Sequence, residues 1–321
     1  MTMFYSDESQ LGDNQAIIEA FWRQKVTAGY LTFSEIELAY AYVLAPNATQ
    51  AVVISSGRIE CFLKYKELIW ELYNNNYAVF IVDHPGQGLS SRQLNNSHKG
   101  FIEDFAVYVD AFAYFIEKVV NPHWSGPKVM LAHSMGCAIA ALYLKTNAQA
   151  FQRAVFCAPM FGIHLGTPPQ WLAEGLVNAL FALGLKTAYL PGQSNYNPKP
   201  FDQNQLTGSE VRYQHFRALY HTVPELQLGG VTIAWLKAAF VATKEIANTT
   251  LDLEILLLQA ADDEIVDNQA QNLWVARQTH TTLVCFEAAK HELLCEQDKV
   301  RRPVMSHIYD FLAARTTDSG S

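Results

Sequence analysis

The chain has 321 residues, 50% of them hydrophobic and 17% charged, with a mean hydropathy of +0.01. That length and apolar content can bury a sizeable core and exclude a disordered chain. Its 23 Lys and Arg stand against 31 Asp and Glu, a net charge of −8, so no nucleic-acid partner is expected.

The first basic residue is Arg23, and no apolar segment opens the chain. A secretory signal is therefore not expected, and the reading is a cytoplasmic protein. Residues 38–57 and 154–173 lack Asp, Glu, Lys and Arg, but turn signals interrupt both, at 45–50 and at Thr167-Pro168-Pro169. They read as strand-and-turn units, not membrane spans.

Residues 36–44 alternate like a half-buried strand. Residues 51–55 and 78–82 are short apolar runs, the form of strands buried on both faces. Helical spacing covers 61–74 and 102–119. A strand at 128–132, an Ala- and Leu-rich helix at 135–146 and a strand at 153–157 follow. Later come a strand at 254–258, a helix near 267–278, a strand at 282–286 and a closing helix near 297–314. Alternating strands and helices predict an α/β fold with a mostly parallel sheet covered on both faces. The five cysteines (61, 137, 157, 285, 295) are scattered and read as buried thiols. No C-x-x-C or H-E-x-x-H is present, so no metal is expected.

The alternation breaks at 161–250, where helical runs at 169–185, 209–222 and 231–247 are joined by Pro- and Gly-rich segments. This predicts a helical insertion at 161–250 within a body formed by 1–160 and 251–321. The insertion holds six basic and five acidic residues, a net of +1, which leaves −9 on the body.

The chemistry centres on Leu131-Ala-His-Ser134-Met-Gly136, where a buried strand ends, a Ser follows and a helix begins at once. That is the context of a nucleophile elbow, with small residues two before and two after the Ser. A Ser nucleophile needs a base, and the base needs an orienting acid, in the chain order Ser, acid, His. The acid candidates after strand 254–258 are Asp262, Asp263, Glu264 and Asp267. Asp267 suits a helix N-cap, so Asp263 leads, with Asp262 second. His291, on the loop after the last strand, is the candidate base. Backbone N–H groups of Met135 and of Arg58, in the turn Ser55-Ser-Gly-Arg58, are the candidate oxyanion donors. The loop Asp83-His-Pro-Gly-Gln-Gly-Leu-Ser90 lacks phosphate-loop spacing and reads as a structural turn near the site floor.

Taken with Ser56-Gly-Arg-Ile-Glu60, Ala158-Pro-Met-Phe-Gly-Ile163 and Lys290-His-Glu292, these motifs resemble the α/β-hydrolase superfamily. Within it they resemble the bacterial lysophospholipase L2 and monoacylglycerol lipase group, over roughly residues 50–310. The resemblance implies a lid after strand 153–157 and hydrolysis of the single acyl ester of a lysophospholipid or monoglyceride. It carries the nucleophile onto Ser134, the acid onto Asp263 and the base onto His291. Monoglyceride lipases have His-Gly where this chain has Ser56-Gly57, which favours the lysophospholipase side. Cys137 stands where a Gly often follows the elbow.

The expected function is thus a serine hydrolase of single-chain lipid esters, without a cofactor. Trp171, Leu176, Leu180, Phe181 and Trp235 of the insertion are candidates to meet the acyl chain and to let the lid touch a membrane surface. Carboxylesterase or thioesterase activity, and a non-catalytic binding protein, are the rival readings. Nothing in the sequence sets the oligomeric state.

Overall fold

The computed structural model describes residues 3–164, 166 and 169–314, so Thr167 and Pro168 of the expected turn lie outside the described residues. Eight strands form one sheet: β1 (Thr27–Phe33), β2 (Ile36–Val43), β3 (Ala51–Ser55), β4 (Ala78–Val82), β5 (Lys128–His133), β6 (Arg153–Cys157), β7 (Glu254–Ala260) and β8 (Thr281–Phe286). Their spatial order is β1-β2-β4-β3-β5-β6-β7-β8. β2 runs antiparallel to both its neighbours, β1 and β4, and the pairings from β4 through β8 are all parallel.

Helices cover both faces because the central strands are apolar on both. In β3, Ala51 and Val53 join one apolar layer, while Val52 and Ile54 join the other. Met130 against Leu131, and Leu257 against Leu258, repeat this period of two in β5 and β7. The first layer is closed by α3 (Ala106–Phe115), α5 (Met135–Asn147) and α8 (Ile233–Ala247). A π turn at Ile116–Val120 leads from α3 into the short α4 (Asn121–His123). The second layer is closed by α1 (Leu11–Lys25), α2 (Lys66–Asn74) and α10 (Asp298–Ala313).

Between β6 and β7 lie α6 (Gln170–Ala182), α7 (Glu210–Thr222) and α8, close to the three helical runs read from the sequence. Ser209 caps α7 by accepting from Arg212 N–H, and Thr232 caps α8 by accepting from Trp235 N–H. α8 packs on α5, and Ile233, Trp235, Ala239 and Ile246 join the main core. α6 packs on α8 but buries only Val177 fully. The short α9 (Asn268–Val275) is capped by Asp267, the role expected of it. Cys61, Cys137 and Cys157 are buried as expected, whereas Cys285 is exposed on the edge strand β8.

Candidate active site

Ser134 sits at the C-terminal end of β5 with φ 52° and ψ −118°, a strained conformation for a residue with a side chain. The surroundings enforce it. Ser134 N–H donates to the Cys157 carbonyl at 3.0 Å, and its own carbonyl accepts from Cys137 N–H and Met160 N–H. Gly136 lies so close to the β3 end that an added Cβ would run into the Ser55 carbonyl. The Ser55 hydroxyl also donates to the Gly136 carbonyl at 3.0 Å. The sharp turn that sets Ser134 at the sheet edge therefore depends on a small residue at 136.

Ser134, Asp263 and His291 come together across the ends of β5, β7 and β8. His291 Nε2 lies 2.8 Å from Ser134 Oγ, and His291 Nδ1 lies 2.7 Å from Asp263 Oδ2. Burial pushes the Asp263 carboxyl up, but its bond to His291 and the N–H groups of Ile265 and Val266 outweigh this and hold it below its ordinary value. An ionised Asp263 requires the proton on Nδ1, which leaves the Nε2 lone pair facing the Ser134 hydroxyl. Asp262, the second candidate, is exposed, and its backbone N–H donates to the Ala289 carbonyl.

The turn after β3 abuts the elbow. A Cβ on Gly57 would lie 3.2 Å from Ser134 Cβ. Gly57 N–H donates to Glu60 Oε2, and Gln87 Nε2 donates to the Gly57 carbonyl at 2.7 Å. The Gly57 carbonyl and Arg58 N–H share one trans peptide plane and point opposite ways. Holding the carbonyl on Gln87 therefore aims Arg58 N–H away from Gln87. Met135 N–H stands at the first position of α5, where no intrahelical acceptor exists.

Gln87 belongs to the loop read from the sequence only as a structural turn. That loop is pinned by the buried Asp83, which accepts from Phe62 N–H and Leu89 N–H. Burial pushes the Asp83 carboxyl up to about 7. His84, equally buried, lies 3.0 Å from Ser55 Oγ, and burial drags its pKa down to about 3, so it is a neutral structural partner.

A buried ionic network was not legible in the sequence. Glu60 Oε2 receives Tyr65 OH at 2.7 Å and lies 3.0 Å from His133 Nδ1. Lys64 Nζ bridges Glu60 Oε1 at 3.0 Å and Glu292 Oε1 at 2.6 Å. His133 Nε2 lies 3.2 Å from the His291 carbonyl. Burial alone raises the Glu60 carboxyl, but Lys64 and His133 pull it well below the carboxylate range. Burial lowers the His133 imidazole, and the Glu60 charge and hydrogen bond more than reverse it. Burial likewise opposes the Lys64 ammonium, which Glu292 and Glu60 hold charged. The network ties the Gly57 turn, the residue before Ser134 and the His291 loop into one unit. Read as a sequence, His133 had no partner and took a structural default. Its contacts reach Glu60 and the backbone of His291, a pairing that no local spacing signals because the partners are far apart in the chain.

The five insertion residues divide. Trp235 is buried and donates from Nε1 to Tyr108 OH at 3.2 Å. Leu180 and Phe181 are half-buried against the main core. Trp171 and Leu176 face solvent, 72% and 52% exposed. Among the described residues no helix is long and apolar enough to cross a membrane.

Comparison with known proteins identifies the family. The family model described as serine aminopeptidase, S33 matches residues 46–298. Lysophospholipase L2 of Escherichia coli K12 is 32% identical, over 94% of this chain and 91% of its own length. Human monoglyceride lipase is 26% identical over 84% of each chain. Among solved structures, a soluble variant of monoglyceride lipase from Saccharomyces cerevisiae bound to a substrate analog shares the fold. It has a TM-score of 0.70 at 18% identity and covers 89% of this chain and 95% of its own. This chain belongs to the serine aminopeptidase S33 family of α/β-hydrolases, within its lysophospholipase L2 and monoglyceride lipase group.

Proposed function

We propose that the protein is a lysophospholipase that works through a Ser134 acyl-enzyme. The observation that carries this is the continuous chain from Ser134 Oγ through His291 to Asp263, set beneath a strained elbow. The resemblance to lysophospholipase L2 along nearly the whole chain supports the substrate class.

In this reading His291 Nε2 takes the Ser134 proton as Oγ attacks the ester carbonyl. The N–H groups of Arg58 and Met135 receive the oxyanion. The tetrahedral adduct collapses, the C–O bond to the glycerol breaks, and His291 returns the proton to the departing glycerophospho-alcohol. A water then gives its proton to His291 and attacks the acyl-enzyme, and the free fatty acid leaves as Ser134 recovers its proton. Asp263 keeps the imidazole in the reactive tautomer and stabilises it when charged. Residues 161–250 form the lid in this reading. The exposed Trp171, Leu172 and Leu176 of α6 suit contact with a lipid surface.

A fluorophosphonate probe should label the wild-type protein and not Ser134→Ala. Absence of wild-type labelling would overturn the serine-hydrolase reading in favour of a binding protein. Turnover of lysophosphatidylcholine, monoacylglycerol, short p-nitrophenyl ester and acyl-CoA, measured side by side, tests the substrate. A preference for the short ester or the thioester would make the enzyme a carboxylesterase or thioesterase.

A further inference from the structure

Arg58 supplies a backbone N–H to the proposed oxyanion site, but its side chain has a separate character. Among the described residues three arginines are fully buried, and each meets a carboxylate: Arg153 with Glu254, Arg212 with Glu67, and Arg301 with Glu71. Arg58 does not. Its Nη2 donates to the Gly229 carbonyl, and its Cζ lies 5.4 Å from the centre of the Trp235 ring. Its Nε is buried and has no acceptor among the described residues. The groups whose charges bear on it are Tyr108 and Tyr189, not an Asp or Glu. Burial without a counter-charge drags the guanidinium down to about 10. Leaving a partly desolvated cation without a counter-charge costs free energy, which an anionic ligand would recover.

Position separates this arginine from others. Arg217 also lacks a carboxylate, but it stacks on Tyr213 and Phe216 in the satellite cluster of α7. Arg58 follows Gly57, which touches Ser134, and its side chain runs from there to the base of α8. The guanidinium is held in place from beneath. Gly100 packs against it, and the segments 98–100 and 229–232 are joined by Gly229 N–H to the His98 carbonyl and Gly100 N–H to the Gly230 carbonyl. A second cation without a carboxylate partner among the described residues, Lys99, precedes Gly100 and lies 5.1 Å from the Tyr189 ring.

In a lysophospholipid only the glycerol carbons separate the scissile ester from the phosphodiester. The Arg58 side chain starts one residue from the Gly57 contact with Ser134 and ends at the Gly229 carbonyl and the Trp235 ring. Its planar fork of N–H groups matches phosphate oxygens. We infer that the Arg58 side chain binds the phosphodiester of the substrate head group, and so selects lysophospholipids over neutral monoglycerides at the same Ser134 site. This rests on the serine-hydrolase reading above.

The test compares kcat/KM for palmitoyl lysophosphatidylcholine and for monopalmitoylglycerol in wild type, Arg58→Gln and Arg58→Lys. Arg58→Gln is expected to lower the lysophospholipid-to-monoglyceride ratio at least tenfold, chiefly through KM, and Arg58→Lys to restore part of it. A ratio unchanged by Arg58→Gln, with both substrates falling together, overturns the inference and leaves Arg58 a brace of the turn. Calorimetric titration with glycerophosphocholine provides a readout independent of turnover and of the folding of the variants. Wild type should bind it more tightly than glycerol, and equal affinity for the two overturns the inference. Fluorophosphonate labelling of the same preparations reports on Ser134 separately, so a failed hydrolase reading and a failed phosphate site give different results.

Discussion

His133 Nε2 lies 3.2 Å from the main-chain carbonyl of His291, so the residue before Ser134 holds the backbone of the histidine that bonds Ser134. Its other ring nitrogen faces the Glu60 carboxylate at 3.0 Å. With acceptors on both sides, the ring satisfies both only as an imidazolium. Its pKa is raised in the folded protein, so its contribution to stability is full below the ordinary histidine value of about 6.5. That contribution is lost as pH rises through the raised folded value. His133→Gln is therefore expected to cost about 1–3 kcal/mol at pH 6. Urea denaturation over a pH series should show the gap to wild type narrowing at alkaline pH, and a constant gap would count against the charged ring.

Asp263 and Asp262 are neighbours with opposite fates. The Asp263 carboxylate is enclosed and accepts from His291, Ile265 and Val266, whereas Asp262 is exposed. Asp263→Asn should lower kcat by roughly 10³–10⁴-fold through the wrong imidazole tautomer. Asp262→Asn should stay within about twofold, as surface changes usually do. Steady-state kinetics on one ester substrate decides, and equal losses would mean that the acid has been misassigned.

Gln87 grips the Gly57 carbonyl and thereby sets the direction of Arg58 N–H. Removing an oxyanion donor outright costs roughly 10²–10³-fold in kcat, so loosening its support should cost less, about tenfold. Gln87→Ala should show this in kcat with KM little changed. A purely structural role would instead lower thermal stability and leave the kcat of the folded fraction intact.

Gly136→Ala places a methyl against the Ser55 carbonyl, where backbone on both sides cannot yield cheaply. The expected loss is at least about 3 kcal/mol, read as a fall in the urea midpoint. Near-wild-type stability would show that the elbow is only loosely seated against β3.

The buried strands were legible because their period of two is written in apolar residues. Ala51–Ser55 and Arg153–Cys157 were identified with their observed ends. β1 escaped notice because Thr27-Ala-Gly-Tyr-Leu-Thr-Phe33 is an edge strand, exposed or half-buried throughout, and its pairing with β2 leaves little pattern in its own residues. α1 escaped because only Leu11, Ile18 and Phe21 of its fifteen residues are buried. Ser134, Asp263 and His291 were legible because each follows a recognisable strand in the order such a site requires.

By itself the sequence determined the period of each buried element, the elbow at Ser134 and the chain order of the three residues that meet there. Those are local properties of spacing and residue size. Only the tertiary structure decided which carboxylate reaches His291, and that Glu60, Lys64, His133 and Glu292 share one charge-balanced network. It also left Arg58, in the turn beside Ser134, without a carboxylate partner among the described residues. The physical reason is that a pairing energy depends on distance and burial. Glu60 and Glu292, which Lys64 bridges, are separated along the chain by most of the sheet and meet only when it folds.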